Sequence, residues 1–290
     1  MNNKNAVIFY GNGINRAFQG DSWEALVKLV ANKYECEYSY DDIKKLPFPM
    51  QIIIASDDHV DAAMRDISKE LNLPICEEQT DLMKKLLEIP VDNYITTNYT
   101  FELEQESVFS PSIAEYRKKR AYTKSVTKKD KQFNLFQHYL VGENKKVWHI
   151  HGDISIPSSV IMGNYYYGKL LHEIENYVPN FMRRHGYSDK HGTPFSEYSW
   201  VDSFLSKDVY MLGFGIDLSE IDIWWLIGCK KRNFPKTNVY MYIPEKDLDA
   251  MKTALLELHG IKLIKYIPFN KDYKEYYSLV LDDLIRTIKE

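Results

Sequence analysis

A chain of 290 residues, 44% hydrophobic and 27% charged, can bury a substantial core as one large domain or two small ones. Its net charge of -4 lacks the basic excess of a nucleic-acid binder and argues against nucleic acid as a direct ligand. Three scattered cysteines, Cys36, Cys76 and Cys229, form no C-x-x-C pair, which speaks against a disulfide framework and a four-cysteine zinc site, and no apolar run approaches the roughly 20 residues that cross a bilayer.

The run Ala6-Val7-Ile8-Phe9-Tyr10 predicts a buried parallel strand, closed by the glycine turn Gly11-Asn12-Gly13-Ile14-Asn15. Asp21 or Ser22 is placed to cap a helix with Trp23, Leu26, Val27 and Val30 on one face. Residues 41–88 read as mostly helical, interrupted by Pro47, Pro49 and Pro74. Asn93 to Thr97 predicts a second strand and Lys146 to Ile150 a third. Between them, residues 100–146 read as a partly helical insertion carrying the basic cluster Arg117 to Arg120, Lys124, Lys128, Lys129 and Lys131, whose simplest reading is a solvated charged face. A helix is expected from about Tyr165 to Arg184, followed by a mobile polar loop from Gly186 to Gly192. The last third then alternates strand and helix: Asp208–Leu212, Ser219–Lys230, Asn238–Ile243, Lys246–His259, Ile261–Ile267 and Tyr273–Lys289. That alternation predicts an α/β, Rossmann-like parallel sheet with helices on both faces, a helical insertion and no zinc module.

Chemistry is expected where motifs meet strand ends. Gly11 and Gly13 lack the Cβ that would keep backbone N–H groups from a phosphate, although a tight strand-to-helix connection uses glycine equally well. Arg16 is either a pyrophosphate donor or a surface arginine. Thr97 and Asn98 close the second strand, where Asn98 can hold a water or a ribose hydroxyl, or bond its own backbone in a turn. His149 and His151 stand two apart and are expected on one face, with Trp148 and Ile150 on the other. His151, before a Gly-Asp turn, is a candidate general base or a structural histidine. Gly213-Phe214-Gly215-Ile216-Asp217 is a second glycine turn, with Asp217 available to ribose hydroxyls and Ser219 expected to cap the next helix.

In this order the four fragments resemble the sirtuin-like domain family, and most its bacterial branch used in defence against phage, which includes the Thoeris effector and the sirtuin partners of HerA-type ATPases. Gly11 to Asn15 is similar to the family's opening turn and Gly20 to Glu24 to the segment after it. Thr96-Thr97-Asn98-Tyr99 matches its asparagine motif, Trp148 to Gly152 its histidine motif, and Gly213 to Asp217 its late nucleotide turn. Asn12, Asn15 and Thr100 depart from the residues usual there, and the zinc module of the protein deacylases is missing.

The resemblance implies a single sirtuin-like Rossmann-type domain over 1–290, with a mostly helical small subdomain from about 36–90 and 101–145. It implies an NAD hydrolase that cleaves the nicotinamide–ribose bond to nicotinamide and ADP-ribose, acting in anti-phage defence by depleting NAD (abortive infection). Asn98 and His151 would be catalytic, and Gly11, Asn12, Gly13, Asn15, Thr97, Gly213, Gly215 and Asp217 would bind NAD. NAD would be the substrate, with no metal. The chain would be cytoplasmic, free of membrane, a homo-oligomer, and partnered by a HerA-type ATPase or another defence component. The alternatives are an NAD or ADP-ribose sensor without turnover and, disfavoured by the missing cysteines, an NAD-dependent protein deacylase.

Overall fold

The computed structural model describes residues 5–18, 22–71, 76–107, 120–122, 135–142, 144–193 and 195–289. Gly20, Asp21 and every residue of the basic cluster except Arg120 lie outside them.

Eight strands form one sheet: β1 (Ala6–Tyr10), β2 (Asn93–Thr96), β3 (Arg120–Tyr122), β4 (Gln137–Val141), β5 (Lys145–His149), β6 (Asp208–Leu212), β7 (Val239–Tyr242) and β8 (Ile261–Ile264), in the order β3-β4-β5-β2-β1-β6-β7-β8. β3, β4 and β5 pair antiparallel, and the other pairs are parallel. Counted along the parallel strands alone, β5-β2-β1-β6-β7-β8 is the doubly wound order 3-2-1-4-5-6, whose direction of winding reverses between β1 and β6. The architecture is therefore α/β and Rossmann-like, with two antiparallel strands added at one edge.

Side chains alternate across the sheet as strand geometry requires. Val7, Phe9, Ile95, Trp148, Val209 and Met211 face one layer, which holds α7 (Asn164–His191), α8 (Trp200–Ser206) and α9 (Ile221–Asn233). Ile8, Tyr10, Tyr94, Val147 and Leu212 face the other, with α6 (Glu77–Leu87) and α11 (Tyr273–Lys289). α10 (Ala250–Leu258) adds Leu256 to the first layer.

The short helix α1 (Gly13–Arg16) follows β1. α2 (Trp23–Lys33), capped by Ser22, does not cover the sheet; it packs with α4 (Phe48–Ala55) and α5 (Val60–Glu70) around Val27, Val30, Ile52, Ala63 and Ile67. Trp23 ties this module together by stacking on Phe48 and donating to Gln51 Oε1 at 2.9 Å. A four-residue α3 (Tyr40–Ile43) links α2 to α4. Residues 41–88, read as mostly helical, hold α3, α4, α5 and α6 among the described residues. Residues 101–145, expected to be mostly helical, instead supply β3 and β4 and one short 3₁₀ turn, Glu104–Ser107, among the described residues.

The expected mobile loop from Gly186 to Gly192 is also corrected. α7 runs on through Gly186 to His191 and stops at Gly192 in the left-handed conformation. Interior Gly168 and Gly186 cost the helix about 1 kcal/mol each and Pro179 about 3, which burial of Tyr167, Leu170, Ile174, Val178 and Phe181 outweighs. No helix among the described residues is long and apolar enough to cross a membrane.

Candidate active site

The four motifs leave the carboxyl ends of four neighbouring strands. Tyr10 is in register with Thr96 and with Leu212, and Thr96 with His149, so the turns after β5, β2, β1 and β6 emerge side by side. In an open α/β sheet this rim is where ligands bind.

At the reversal point the two glycine turns touch each other. Gly13 N donates to Gly213 O at 2.7 Å, and a Cβ on Gly11 or Gly13 would lie 2.7 Å from that same carbonyl oxygen. Gly213 itself has φ +63 and a Cβ there would meet Ile14 N at 2.9 Å. Glycine is thus required at 11, 13 and 213 for contact between backbones, and the Gly13 amide is already spent. Gly215 differs: it is exposed and a Cβ would have nothing within 4 Å. Asn15 is buried and its amide is engaged at both ends, donating to Asn12 Oδ1 at 3.1 Å and accepting from Gln79 Nε2 of α6 at 3.2 Å.

Asn98 is only 5% exposed, yet neither its Oδ1 nor its Nδ2 has a hydrogen-bond partner among the described residues. Leaving a buried amide unsatisfied costs about 1–3 kcal/mol per group, so such an arrangement calls for a ligand or water. Its backbone is fixed at both ends: Asn98 N donates to Thr96 Oγ1 at 3.0 Å, and Asn98 O accepts from His149 Nδ1 at 2.7 Å. Thr97, beside it, is half-buried.

His149 and His151 do not share a face. β5 ends at His149, whose ring lies against Phe101 and Tyr139 and whose Nε2 donates to Glu104 at 2.8 Å. The chain then turns, with Gly152 N donating to His149 O and Gly152 at φ +81. Period-two alternation stops where the extended backbone stops, so His151 crosses to the α7–α9 layer. Burial opposes an imidazolium at 149, but the Glu104 carboxylate outweighs it and brings the ring up to about 9. His149 is therefore a charged clamp on the Asn98 carbonyl.

His151 Nε2 meets Asp222 Oδ2 at 2.9 Å, with the two side chains 2% and 0% exposed, and Tyr167 stands edge-on to the ring at 5.2 Å. Burial again opposes the charged form, and Asp222 again reverses the balance, so the imidazole is raised. Glu220, half-buried in the loop before α9, is pushed up to about 8 by burial, with Asp222 adding to the effect and His151 opposing it. Burial, with Glu220 and Asp222 adding to it, raises the Tyr99 hydroxyl, and burial with Tyr99, Glu220 and Asp222 raises that of Tyr167. Among the described residues no group of three or more His, Cys, Asp or Glu is placed to hold a metal ion.

The chain matches no protein-family model and no curated protein.

Asp217 does not point freely outward. Its Oδ1 accepts from Ser219 N at 2.9 Å and Ser219 Oγ at 2.5 Å, and its backbone carbonyl accepts from Trp224 Nε1 at 2.9 Å. Ser219 is consequently not the helix cap it was expected to be: Glu220 occupies the N-cap of α9, with no side-chain cap. Between Gly215 and Asp217, Ile216 is buried at φ +43, a left-handed conformation that β-branched residues rarely adopt.

The rim therefore brings together Asn98, His151 and the turn that ends in Asp217, while the amides of Gly13 and Asn15 serve the protein itself. Glu104, Asp222, Glu220, Tyr99 and Tyr167 were missed from sequence. A usable signal existed for the acids, since Glu102 and Glu104 closely follow the asparagine run, and Glu220 and Asp222 follow the late glycine turn. Two surface clefts, of about 450 Å³ beside Arg65 and Tyr165 and about 540 Å³ beside Lys85 and Lys274, are lined by none of these residues.

Proposed function

We propose that this chain is an NAD glycohydrolase of the sirtuin-like type, cleaving the bond between nicotinamide and ribose with water as acceptor. The observation that carries the reading is Asn98: a buried amide with both ends unpartnered among the described residues, clamped through its backbone by His149, two residues past the registered pair Thr96 and His149, with His151 two residues past the same pair on the neighbouring chain segment. Such an amide is suited to a water and a ribose hydroxyl, one through each end.

The chemistry is consistent with the charges around it. Nicotinamide is cationic in NAD and leaves as a neutral molecule, taking the electron pair of the broken C–N bond, while positive charge develops on the sugar. Carboxylates and an asparagine stabilise that charge and place the water. His151 Nε2 is held by Asp222, and Nδ1 has no partner among the described residues, so the ring can accept a proton from water or a ribose hydroxyl there once it is neutral. Depletion of NAD in anti-phage defence, a cytoplasmic location, self-association and a HerA-type ATPase partner belong to the same proposal through the resemblance set out above.

The test is incubation of the purified chain with NAD and chromatographic assay of nicotinamide and ADP-ribose. Both products are expected, and Asn98→Ala and His151→Ala are each expected to lower turnover at least about a hundredfold. Full activity in His151→Ala would remove the assigned base. A second reading, NAD or ADP-ribose binding without turnover, is favoured by the 2% exposure of the His151 side chain. Binding with no nicotinamide released would select it.

A further inference from the structure

The two most exposed large hydrophobic side chains among the described residues stand on one helix. Met251 is 79% and Leu258 74% exposed, and both belong to α10. Seven residues apart, they fall within about 20° of each other around the helix, on a line roughly 10 Å long. Ala254 lies between them and Ala250 precedes them, both exposed as well. Leu256 faces the opposite way, into the layer beneath. The outward face of α10, centred on Ala254, therefore carries no charged residue, and Lys252 and Glu257 fall on its flanks. A solvated helix has the reverse pattern. α10 packs on β8, the last strand of the sheet, and so closes the edge of its layer.

Such a face fits a second copy of itself. About a two-fold axis between Ala254 and Leu255, Met251 of each copy meets Leu258 of the other, and the small Ala254 at the crossing lets the helices approach to about 8 Å. The ends match in charge. At the amino end Glu245, Asp247 and the capping Asp249, whose Oδ1 accepts from Lys252 N at 2.7 Å, outnumber Lys246. At the carboxyl end Lys231, whose Nζ donates to Leu258 O at 2.6 Å, and Lys265, 3.7 Å from Glu257, outnumber that one acid. Antiparallel pairing brings acid to lysine at both ends and opposes the two helix dipoles, whereas parallel pairing sets like ends together. We propose that α10 is a self-association surface, on which two copies of this chain pair antiparallel through Met251, Ala254 and Leu258. The inference goes beyond the NAD reading and is independent of it. A nine-residue helix is about 14 Å long, so the contact is smaller than the roughly 1,200–2,000 Å² of a durable interface. The dimer is accordingly reversible, with a dissociation constant on the order of 10–100 µM.

The experiment is sedimentation equilibrium of the full chain at pH 7 from about 5 µM to about 1 mM, with each fold verified by circular dichroism. A monomer–dimer equilibrium is expected. Met251→Lys and Leu258→Glu are each expected to weaken it at least about thirtyfold, because each homodimer then sets a charge against an apolar side chain twice. An equimolar mixture of the two variants is expected to recover dimer to within about tenfold of the native constant. In that mixed pair the new ammonium meets the new carboxylate at one end, and Met251 still meets Leu258 at the other. Parallel pairing predicts no recovery. Tyr165→Lys, at a side chain 66% exposed at the start of α7, is expected to leave the equilibrium unchanged. A monomer throughout the range, an assembly that survives both α10 substitutions, a mixture that stays monomeric, or an equal loss in Tyr165→Lys overturns the proposal.

Discussion

The pair His149–Glu104 offers a quantitative check, because its charge state is tied to folding. An imidazole raised from an ordinary 6.5 to about 9 in the folded chain stabilises the fold as long as it stays protonated. The contribution is fully present below pH 6.5, where it amounts to about 3 kcal/mol, and it is lost as pH rises through 9. At pH 7 roughly 2–3 kcal/mol remains, and at pH 10 almost none. Both side chains are at most 2% exposed, so solvent screening does little to reduce these values. The perturbation is His149→Gln, which preserves a donor toward the Asn98 carbonyl but removes the charge. Urea unfolding of both proteins at half-unit steps from pH 6 to 10 gives the difference in stability as a curve. That difference is expected to be largest at the acid end and to shrink steadily between about pH 6.5 and 9.5, with roughly half of it gone by pH 8. A difference that is flat across this range, or an NMR titration of the His149 ring near 6.5 in the folded protein, refutes the clamp.

Three further outcomes follow from the same geometry. Gly13→Ala places a Cβ 2.7 Å from both the Gly213 carbonyl oxygen and the Tyr277 hydroxyl and is expected to lower stability by about 2–4 kcal/mol, whereas Gly215→Ala, with open space at its Cβ, is expected to change stability by less than about 0.5 kcal/mol; urea midpoints decide. If His151 is the base, NAD cleavage rises with pH through a group titrating above 6.5, and Asp222→Asn moves that rise to lower pH because the carboxylate that holds the proton is gone; an unmoved profile removes Asp222 from the pair. Trp23→Phe deletes the hydrogen bond to Gln51 while keeping the stack on Phe48, and is expected to cost about 1 kcal/mol in thermal or urea unfolding.

Much of the sheet was legible because its strands are short apolar runs closed by glycine or polar turns. Val7, Phe9 and Ile95 on one face and Ile8, Tyr10 and Tyr94 on the other need only period-two alternation to be placed. The two antiparallel strands were not legible: Gln137 to Val141 mixes polar and apolar residues in a stretch dominated by charge, and its partner β3 has only three residues. The turn after β5 shows the limit of a periodic argument, since His151 lies one residue beyond the last position where alternation holds for the strand and its turn. Asn98 and His151 could be singled out as residue types at strand ends, but their partners could not. Asp222 reaches His151 from a helix 71 residues downstream and Glu104 reaches His149 from 45 residues upstream, and no local pattern encodes either contact. The glycines carry the opposite lesson. Gly11 and Gly13 fitted either an approach to phosphate or a tight connection, and the space beside them is taken by Gly213, Phe214 and Tyr277.

Ile216 joins two opposing quantities in a single residue. Its left-handed backbone stores roughly 1–3 kcal/mol, and burial of its side chain returns about 1.5–3 kcal/mol. The seat that holds the segment Gly213–Glu220 down is thus nearly offset by the torsion it imposes. The torsion therefore persists only because its surroundings keep it, among them Trp224 Nε1 on the Asp217 carbonyl and Asp217 N on Glu220 Oε2.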